Sequence, residues 1–110
     1  MVEYIPDRGD LVWLEFAPQT GKEPKKKRPA LVISPKIYNA KTGLATVFPI
    51  TSNKKGYPFE VVISHEKIQG VILSDQLKSL DWQIRKAQFI GNTTDEVIYE
   101  VIERFTLLLK

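Results

Sequence analysis

The hydrophobic pattern is strongest at the C-terminal end of the chain. Seven apolar residues recur there at a spacing that fits a 3.6-residue period and not a period of two. They are Val97, Ile98, Val101, Ile102, Phe105, Leu108 and Leu109. Thr93 and Glu96 precede them at the spacing of a capping box, in which hydroxyl and carboxylate bond the free backbone donors of the first turn. The pattern predicts one helix over residues 93–109, with its apolar face packed on a sheet.

Short apolar segments bounded by turn residues predict strands through the rest of the chain. They cover residues 10–16, 30–34, 44–50, 59–64 and 70–75, with a short last strand or an extended connection at 78–82. Segment 30–34 is almost entirely apolar, which is typical of a strand buried on both faces. Residues 36–41 predict a helical turn, and residues 17–28, with two prolines and no periodicity, predict a loop. We expect a mostly β protein, a partly open β-barrel with a C-terminal helix, as a single domain over residues 1–110.

Composition excludes several kinds of chemistry. The chain of 110 residues has no cysteine, so disulfides, thiolate zinc sites and a cysteine nucleophile are excluded. His65 is the one histidine, which excludes sites that need a histidine pair. It follows a predicted strand in a polar stretch, where a surface role is favoured over a catalytic one. No apolar run approaches a membrane span, and the N-terminus has no apolar signal segment, so we expect a cytoplasmic protein that does not contact membrane.

Positive charge is concentrated in one segment. Residues 22–28 carry five lysine or arginine side chains against one glutamate, a net charge of +4. Since the whole chain carries +3, the remainder sums to −1. A localised basic run is expected for a partner that is a polyanion, and it is equally typical of a solvated loop.

Polar residues at the ends of predicted strands are the candidate site. Arg28 comes just before the buried strand, Thr51 and Ser52 follow residues 44–50, and Gln76 follows residues 70–75. Strand ends hold side chains rigidly while loops bring them together. Taken alone, each residue is better explained by a surface ion pair or an ordinary turn than by a site.

Six stretches in order resemble the MazF/PemK toxins, from residue 8 to the terminal helix. They are residues 8–12 (RGDLV), 28–35 (RPALVISP), 38–43 (YNAKTG), 49–52 (PITS), 56–61 (GYPFEV) and 70–76 (GVILSDQ). The resemblance implies an SH3-like barrel, as in the gyrase poison CcdB, and a homodimer. It also implies a sequence-selective endoribonuclease for single-stranded RNA that needs no metal and no cofactor, neutralised by a MazE-type antitoxin with an acidic, extended segment.

The catalytic residues implied by the resemblance are Arg28 and Thr51, with Glu23 and Gln76 supporting RNA binding or the geometry of the site. Lys22 stands where relatives commonly have a hydroxyl residue before the glutamate. Further RNA-binding candidates are Lys22, Lys25, Lys26, Lys27, Ser52, Lys54, Lys55 and Tyr57. Trp13, Phe16 and Tyr57 are candidates for stacking on bases, although aromatic residues in a β-rich core more often serve packing.

These residue types suit RNA cleavage, because RNA supplies its own nucleophile in the 2′-hydroxyl. The guanidinium of Arg28 can hold phosphate oxygens in a bidentate manner, and the Thr51 hydroxyl can donate to the phosphate or the leaving oxygen. The products are then a 2′,3′-cyclic phosphate and a 5′-hydroxyl. Neither residue is a good base unaided, so the general base stays open. The alternatives are a CcdB-like protein that poisons a topoisomerase without nuclease activity, and an inactive relative retained for binding.

Overall fold

The protein was analysed as a computed structural model, which describes residues 3–16 and 26–110. The elements, in chain order, are β1 (Asp10–Phe16), β2 (Lys26–Val32), α1 (Lys36–Thr42), β3 (Leu44–Thr51), β4 (Glu60–Ser64), β5 (Gln69–Leu73), β6 (Lys78–Asp81), β7 (Gln88–Asn92) and α2 (Asp95–Thr106), followed by a 3-10 turn at Leu107–Leu109. No helix in these two ranges is long and apolar enough to cross a membrane.

The strands form one antiparallel, curled sheet with the order β4-β5-β3-β2-β1-β7. β3 pairs with β2 along one part, with β6 from Leu44 to Val47, and with β5 at Ile50 and Thr51. β1 lies between β2 and β7, and its first residue Asp10 pairs with Asn92 near the other end of the chain. The predicted β-barrel-like fold with a C-terminal helix is confirmed.

The strands differ from the prediction chiefly in the start of β2 and in the presence of β7. β2 begins at Lys26, inside the segment predicted to be a loop, because residues 26–28 pair with β1 while their side chains stay exposed. β7 is absent from the prediction, since its sequence QFIGN has neither clear alternation nor a turn signal before it. β7 forms because it pairs with the edge of β1 that β2 leaves free, and this tertiary contact outweighs the local sequence preference.

The C-terminal helix is shorter than predicted, and its N-terminal cap is one residue later. The Thr94 side chain accepts a hydrogen bond from the Val97 backbone, so the predicted capping box of Thr93 and Glu96 is wrong. The Thr93 backbone N–H instead donates to Gly9, which holds Thr93 outside the helix. Of the apolar stripe, Ile98 and Val101 are buried. Three other residues of the stripe are exposed to solvent, namely Ile102, Leu108 and Leu109.

Two apolar clusters lie on the two faces of the sheet. The first lies under α2 and includes Phe48, whose ring meets Phe105 edge-on at a centroid distance of 5.6 Å. The second is built around Trp82, whose indole N–H donates to the backbone carbonyl of Asn39 at 2.9 Å. Asn39 is fully buried, and its side-chain amide bonds Ser34 and the Pro6 carbonyl. A satisfied amide of this kind joins the N-terminal segment, α1 and the second cluster.

Side chains close the curl of the sheet where its two end regions meet. The turn between β4 and β5 lies against β7, with the His65 imidazole over the Cα of Gly91. A Cβ atom at Gly91 would lie 2.6 Å from His65 Nε2, so any side chain there would force the imidazole ring to move. His65 Nδ1 accepts from the Lys67 backbone N–H at 3.1 Å. The expected surface histidine is therefore half-buried in a structural contact.

This contact predicts a pair of compensating substitutions. Gly91→Ala should lower the free energy of unfolding by about 1–3 kcal/mol, the usual range for overpacking. His65→Ala in the same chain should recover most of that loss, because it removes the ring that the new methyl group meets. Urea denaturation of wild type, both single variants and the double variant measures the coupling. Additive losses in the double variant would contradict the contact.

Candidate active site

The candidate site lies where β2 and β3 separate. Their ladder ends at the pair Ala30 and Pro49. If the register continued, Arg28 would lie opposite Thr51, but the pairing of β3 with β2 stops at Pro49, while the other edge of β3 pairs with β5 at Ile50 and Thr51. Proline has no N–H to donate, so Pro49 suits a position where one ladder ends and another has yet to begin. Arg28 and Thr51 consequently face an opening between strands rather than a ladder.

The Thr51 hydroxyl is held by its own turn. Its oxygen accepts a hydrogen bond from the Asn53 backbone N–H at 3.1 Å. A hydroxyl has one proton and two lone pairs, so this bond leaves the proton available for a ligand in the cleft. The adjoining β5 backbone also fixes Thr51, because a Cβ atom at Gly70 would lie 2.4 Å from the Thr51 carbonyl oxygen. Gly70 has φ +154° and permits this close approach.

Two clefts meet at Arg28 and Thr51. The first, of about 470 Å³, is bounded by β1 and β2 on one side and by the start of β5 on the other. The second, of about 430 Å³, continues past Thr51 toward β4 and β6. Residues lining the first are Trp13, Lys26, Lys27, Arg28, Pro29, Ile50, Thr51, Ser52, Lys67, Ile68 and Gln69. Residues lining the second are Arg28, Pro49, Ile50, Thr51, Asn53, Lys55, Tyr57, Glu60, Leu73, Gln76 and Lys78.

Glu60 organises the loop along the second cleft. Its carboxylate accepts hydrogen bonds from the backbone N–H groups of Lys55 at 2.9 Å and Gly56 at 2.8 Å. These backbone bonds, with that of Lys55 the largest influence, hold the pKa of the Glu60 carboxyl below its ordinary value. Both oxygens are thereby engaged in holding the loop. Glu60 therefore acts as a structural anion and not as a proton acceptor for a substrate.

Tyr57 forms a fixed wall of the same cleft. Its hydroxyl donates to Asp75 Oδ2 at 2.6 Å, and its ring lies against Phe59 at a centroid distance of 6.4 Å. The bond to Asp75 is the main cause that raises the pKa of the Tyr57 phenol, which keeps the phenol protonated as a donor. Because the ring is held at both ends, it presents a preorganised surface to a ligand.

Most of the predicted site residues that the structure describes line one of the two clefts. Arg28 and Thr51 line both, whereas Lys54 lines neither. The predicted residues Lys22, Glu23 and Lys25 lie outside the described residues, as does the side chain of Phe16. Trp13 packs on the first apolar cluster and also lines the first cleft, where its stacking on bases stays a prediction.

Several lining residues are not singled out as site residues by sequence reasoning. They are Asn53, Glu60, Lys67, Gln69 and Lys78, and Gly70, which lines neither cleft, abuts the Thr51 backbone. Gly70 and Glu60 belong to the stretches that carry the family resemblance, which is the one available signal for them. The lysines come from isolated positions on separate strands and turns. In the two described ranges, no group of three or more His, Asp or Glu side chains could hold a metal ion.

An arginine and a free hydroxyl proton between two lysine-lined clefts define a site for a phosphate-bearing polymer. The family model of the PemK-like, MazF-like toxins of type II toxin–antitoxin systems matches residues 7–109, and the chain belongs to this family.

The relatives and solved structures agree with this assignment. The chain is 43% identical over 106 residues to the endoribonuclease toxin MazF of Escherichia coli K12, covering 96% of each. It is 32% identical to the endoribonuclease toxin ChpB of the same strain, over 94% of each chain. A MazE–MazF crystal structure from Deinococcus radiodurans superposes with a TM-score of 0.92 and 47% identity, covering 97% of each chain. These findings favour a nuclease toxin over the CcdB-like alternative.

The close approach of Gly70 predicts that a single methyl group disturbs the site. Gly70→Ala should displace Thr51, because the atoms in its way belong to the backbone and cannot rotate aside. A shift of about 1 Å at a reacting group costs about 10²-fold in rate, so cleavage of single-stranded RNA should fall by about that factor.

Gly43→Ala provides a matched control. Gly43 has φ +75° with open space where a Cβ atom would lie, and it ends α1 away from both clefts. That substitution should reduce thermal stability through backbone strain while leaving the cleavage rate unchanged. Wild-type cleavage by Gly70→Ala would show that Gly70 does not position Thr51.

Proposed function

We propose that the protein is an endoribonuclease toxin that cleaves single-stranded RNA at a short recognition sequence without a metal or another cofactor. The observation that carries the proposal is the placement of Arg28 and Thr51 at the junction of two clefts. A bound strand would then have its scissile phosphate at the junction and nucleotides on both sides. Each cleft has the volume of a small-ligand pocket, which suits individual nucleotides better than a duplex.

The reaction follows from the chemistry of RNA. The 2′-hydroxyl gives up its proton to a base and its oxygen attacks the adjacent phosphorus, the bond from phosphorus to the 5′-oxygen breaks, and the leaving 5′-oxygen takes up a proton. Arg28 stabilises the charge that develops on the phosphate oxygens through paired N–H donors. The Thr51 hydroxyl donates to the phosphate or to the leaving oxygen. The products are a 2′,3′-cyclic phosphate and a 5′-hydroxyl.

Cations on the lining strands provide the electrostatic attraction for the RNA backbone. Lys26 and Lys27 lie along the first cleft, and Lys55 and Lys78 lie along the second. Ser52 adds a hydroxyl beside Thr51, and Gln76 and Tyr57 offer hydrogen bonds and a ring face to bases in the second cleft. Binding through several lysines makes affinity fall steeply as salt rises.

The proposal extends to partners of the type found for the relatives. The D. radiodurans protein was solved together with MazE, and we propose that a MazE-type antitoxin neutralises this chain. An acidic segment of such an antitoxin would compete with RNA for the same cationic clefts. We further propose a homodimer, a cytoplasmic location, and a single toxin domain over residues 1–110.

Nuclease activity is tested with long single-stranded RNA in the presence of EDTA. We expect cuts at one short sequence, with 2′,3′-cyclic phosphate and 5′-hydroxyl ends identified by ligation and end sequencing. The position of the cuts also gives the recognition sequence. RNA that stays intact at high protein concentration would overturn the proposal. In that case inhibition of a topoisomerase by the same preparation would favour the CcdB-like alternative.

The two central residues make a second test. Arg28→Ala should lower the cleavage rate by about 10²–10³, the usual effect of removing a donor that stabilises developing negative charge. Arg28→Lys keeps the charge but not the paired donors, so an intermediate rate is expected. Thr51→Val keeps the shape and removes the hydroxyl, and it should also reduce cleavage strongly.

Lys41→Gln is the control for charge, because Lys41 lies in the last turn of α1 and lines neither cleft. Melting temperatures should stay within a few degrees of wild type for the Arg28 variants, since Arg28 is exposed. Cleavage at the wild-type rate by Arg28→Ala or by Thr51→Val would remove that residue from the mechanism.

A further inference from the structure

Lys67 and Gln69 line the first cleft from the side opposite to the basic strand β2. Lys67 lies in the turn between β4 and β5, and Gln69 begins β5. Both side chains are exposed. The two walls together bring four cations to this cleft, and its described lining contains no carboxylate. The arrangement concentrates positive potential in a concave space.

The backbone of Lys67 is held rigidly. In the turn, His65 and Ile68 exchange backbone hydrogen bonds at 2.9 and 3.2 Å, and the Lys67 N–H donates to His65 Nδ1. His65 is in turn seated on Gly91 of β7. Lys67 therefore projects from a fixed backbone position at the rim of the cleft, so the freedom it loses on binding is confined to its side chain.

The charge of Lys67 is not neutralised within the described part of the chain. Its Nζ donates to the Ile90 carbonyl at 3.4 Å, at the long limit for a hydrogen bond. Ile90 has no partner in the register between β1 and β7, where the ladder shifts. An ion pair on α2 joins Arg104 to Glu100 and leaves Lys67 out. Lys67 thus has a weak neutral acceptor that an anion in the cleft would replace.

We propose that Lys67 binds an RNA phosphate next to the scissile one, and that Gln69 hydrogen-bonds the base of the same nucleotide. This inference rests on the proposed function, and it places that nucleotide in the first cleft between β2 and the turn of β4 and β5. The amine supplies a point charge for the phosphate, while an amide can both donate to and accept from a base edge.

The experiment measures the salt dependence of binding. The probe is the 12-nucleotide sequence around the mapped cut site, made as single-stranded DNA, which lacks the nucleophilic 2′-hydroxyl. Losing one phosphate contact to a single strand lowers the slope of log K against log salt by about 0.7, equivalent to about fivefold weaker binding at 0.1 M salt. We expect this change for Lys67→Gln, and near-wild-type values for Lys67→Arg and for the control Lys41→Gln.

Truncated probes locate the contact. The probe is shortened from one end, one nucleotide at a time. Wild-type binding should weaken when the nucleotide in the first cleft is removed, whereas the affinity of Lys67→Gln should not change at that removal. Gln69→Leu should change the base preference at this position and leave the salt slope unaltered. If the wild type cleaves RNA but Lys67→Gln has the same salt slope and the same response to truncation as Lys41→Gln, the inference is overturned while the proposed function stands. Absence of cleavage by the wild type would instead overturn the proposed function.

Discussion

The site depends on the way in which one strand, β3, divides its hydrogen bonds among three neighbours. A strand has two edges, and β3 uses one for β2 and the other first for β6 and then for β5. On the first edge the pairing with β2 stops at Pro49, and the gap beyond it exposes Arg28 and Thr51 to the clefts. A continuous ladder through these positions would have brought the two strands to about 5 Å and closed the cleft. The binding surface is thus a direct product of sheet curvature.

The charged side chains around the clefts have two separate roles. Both carboxylate oxygens of Glu60 accept from backbone N–H groups, and Oδ2 of Asp75 accepts from the Tyr57 hydroxyl. Lysines contribute to both clefts, whereas these acids hold loops in place. An almost balanced chain can therefore present a cationic groove without a large net charge. The acids stabilise the shape of the groove, and the lysines remain available to attract a polyanion.

The sequence was informative where one physical effect dominated. The apolar stripe of α2 had a clear helical period and the run in β2 was continuously apolar, and Arg28 and Thr51 stood out as polar residues next to apolar segments. The sequence was silent on β7, because its pairing depends on an edge of β1 formed almost 80 residues away. It was also silent on Lys67, which reaches the cleft only because the β4–β5 turn lies across the curled sheet. Resemblance to a family supplied chemistry that periodicity alone could not.

The pairing of β1 with β7 has a consequence for how the protein is made. Asp10 accepts a hydrogen bond from the Asn92 side chain across 82 residues, so closing this part of the sheet encloses nearly the whole chain in one loop. Contacts of such long range form late, because closing a long loop costs chain entropy. More local hairpins such as β4–β5 form first and offset part of that cost. During synthesis, β2 and β3 leave the ribosome well before β7 and α2. A nascent chain thus contains both Arg28 and Thr51 while the edge of β1 is still unpaired and the first apolar cluster still uncovered. Completion of the fold, rather than synthesis of the site residues, sets the moment at which the cleft acquires its final shape.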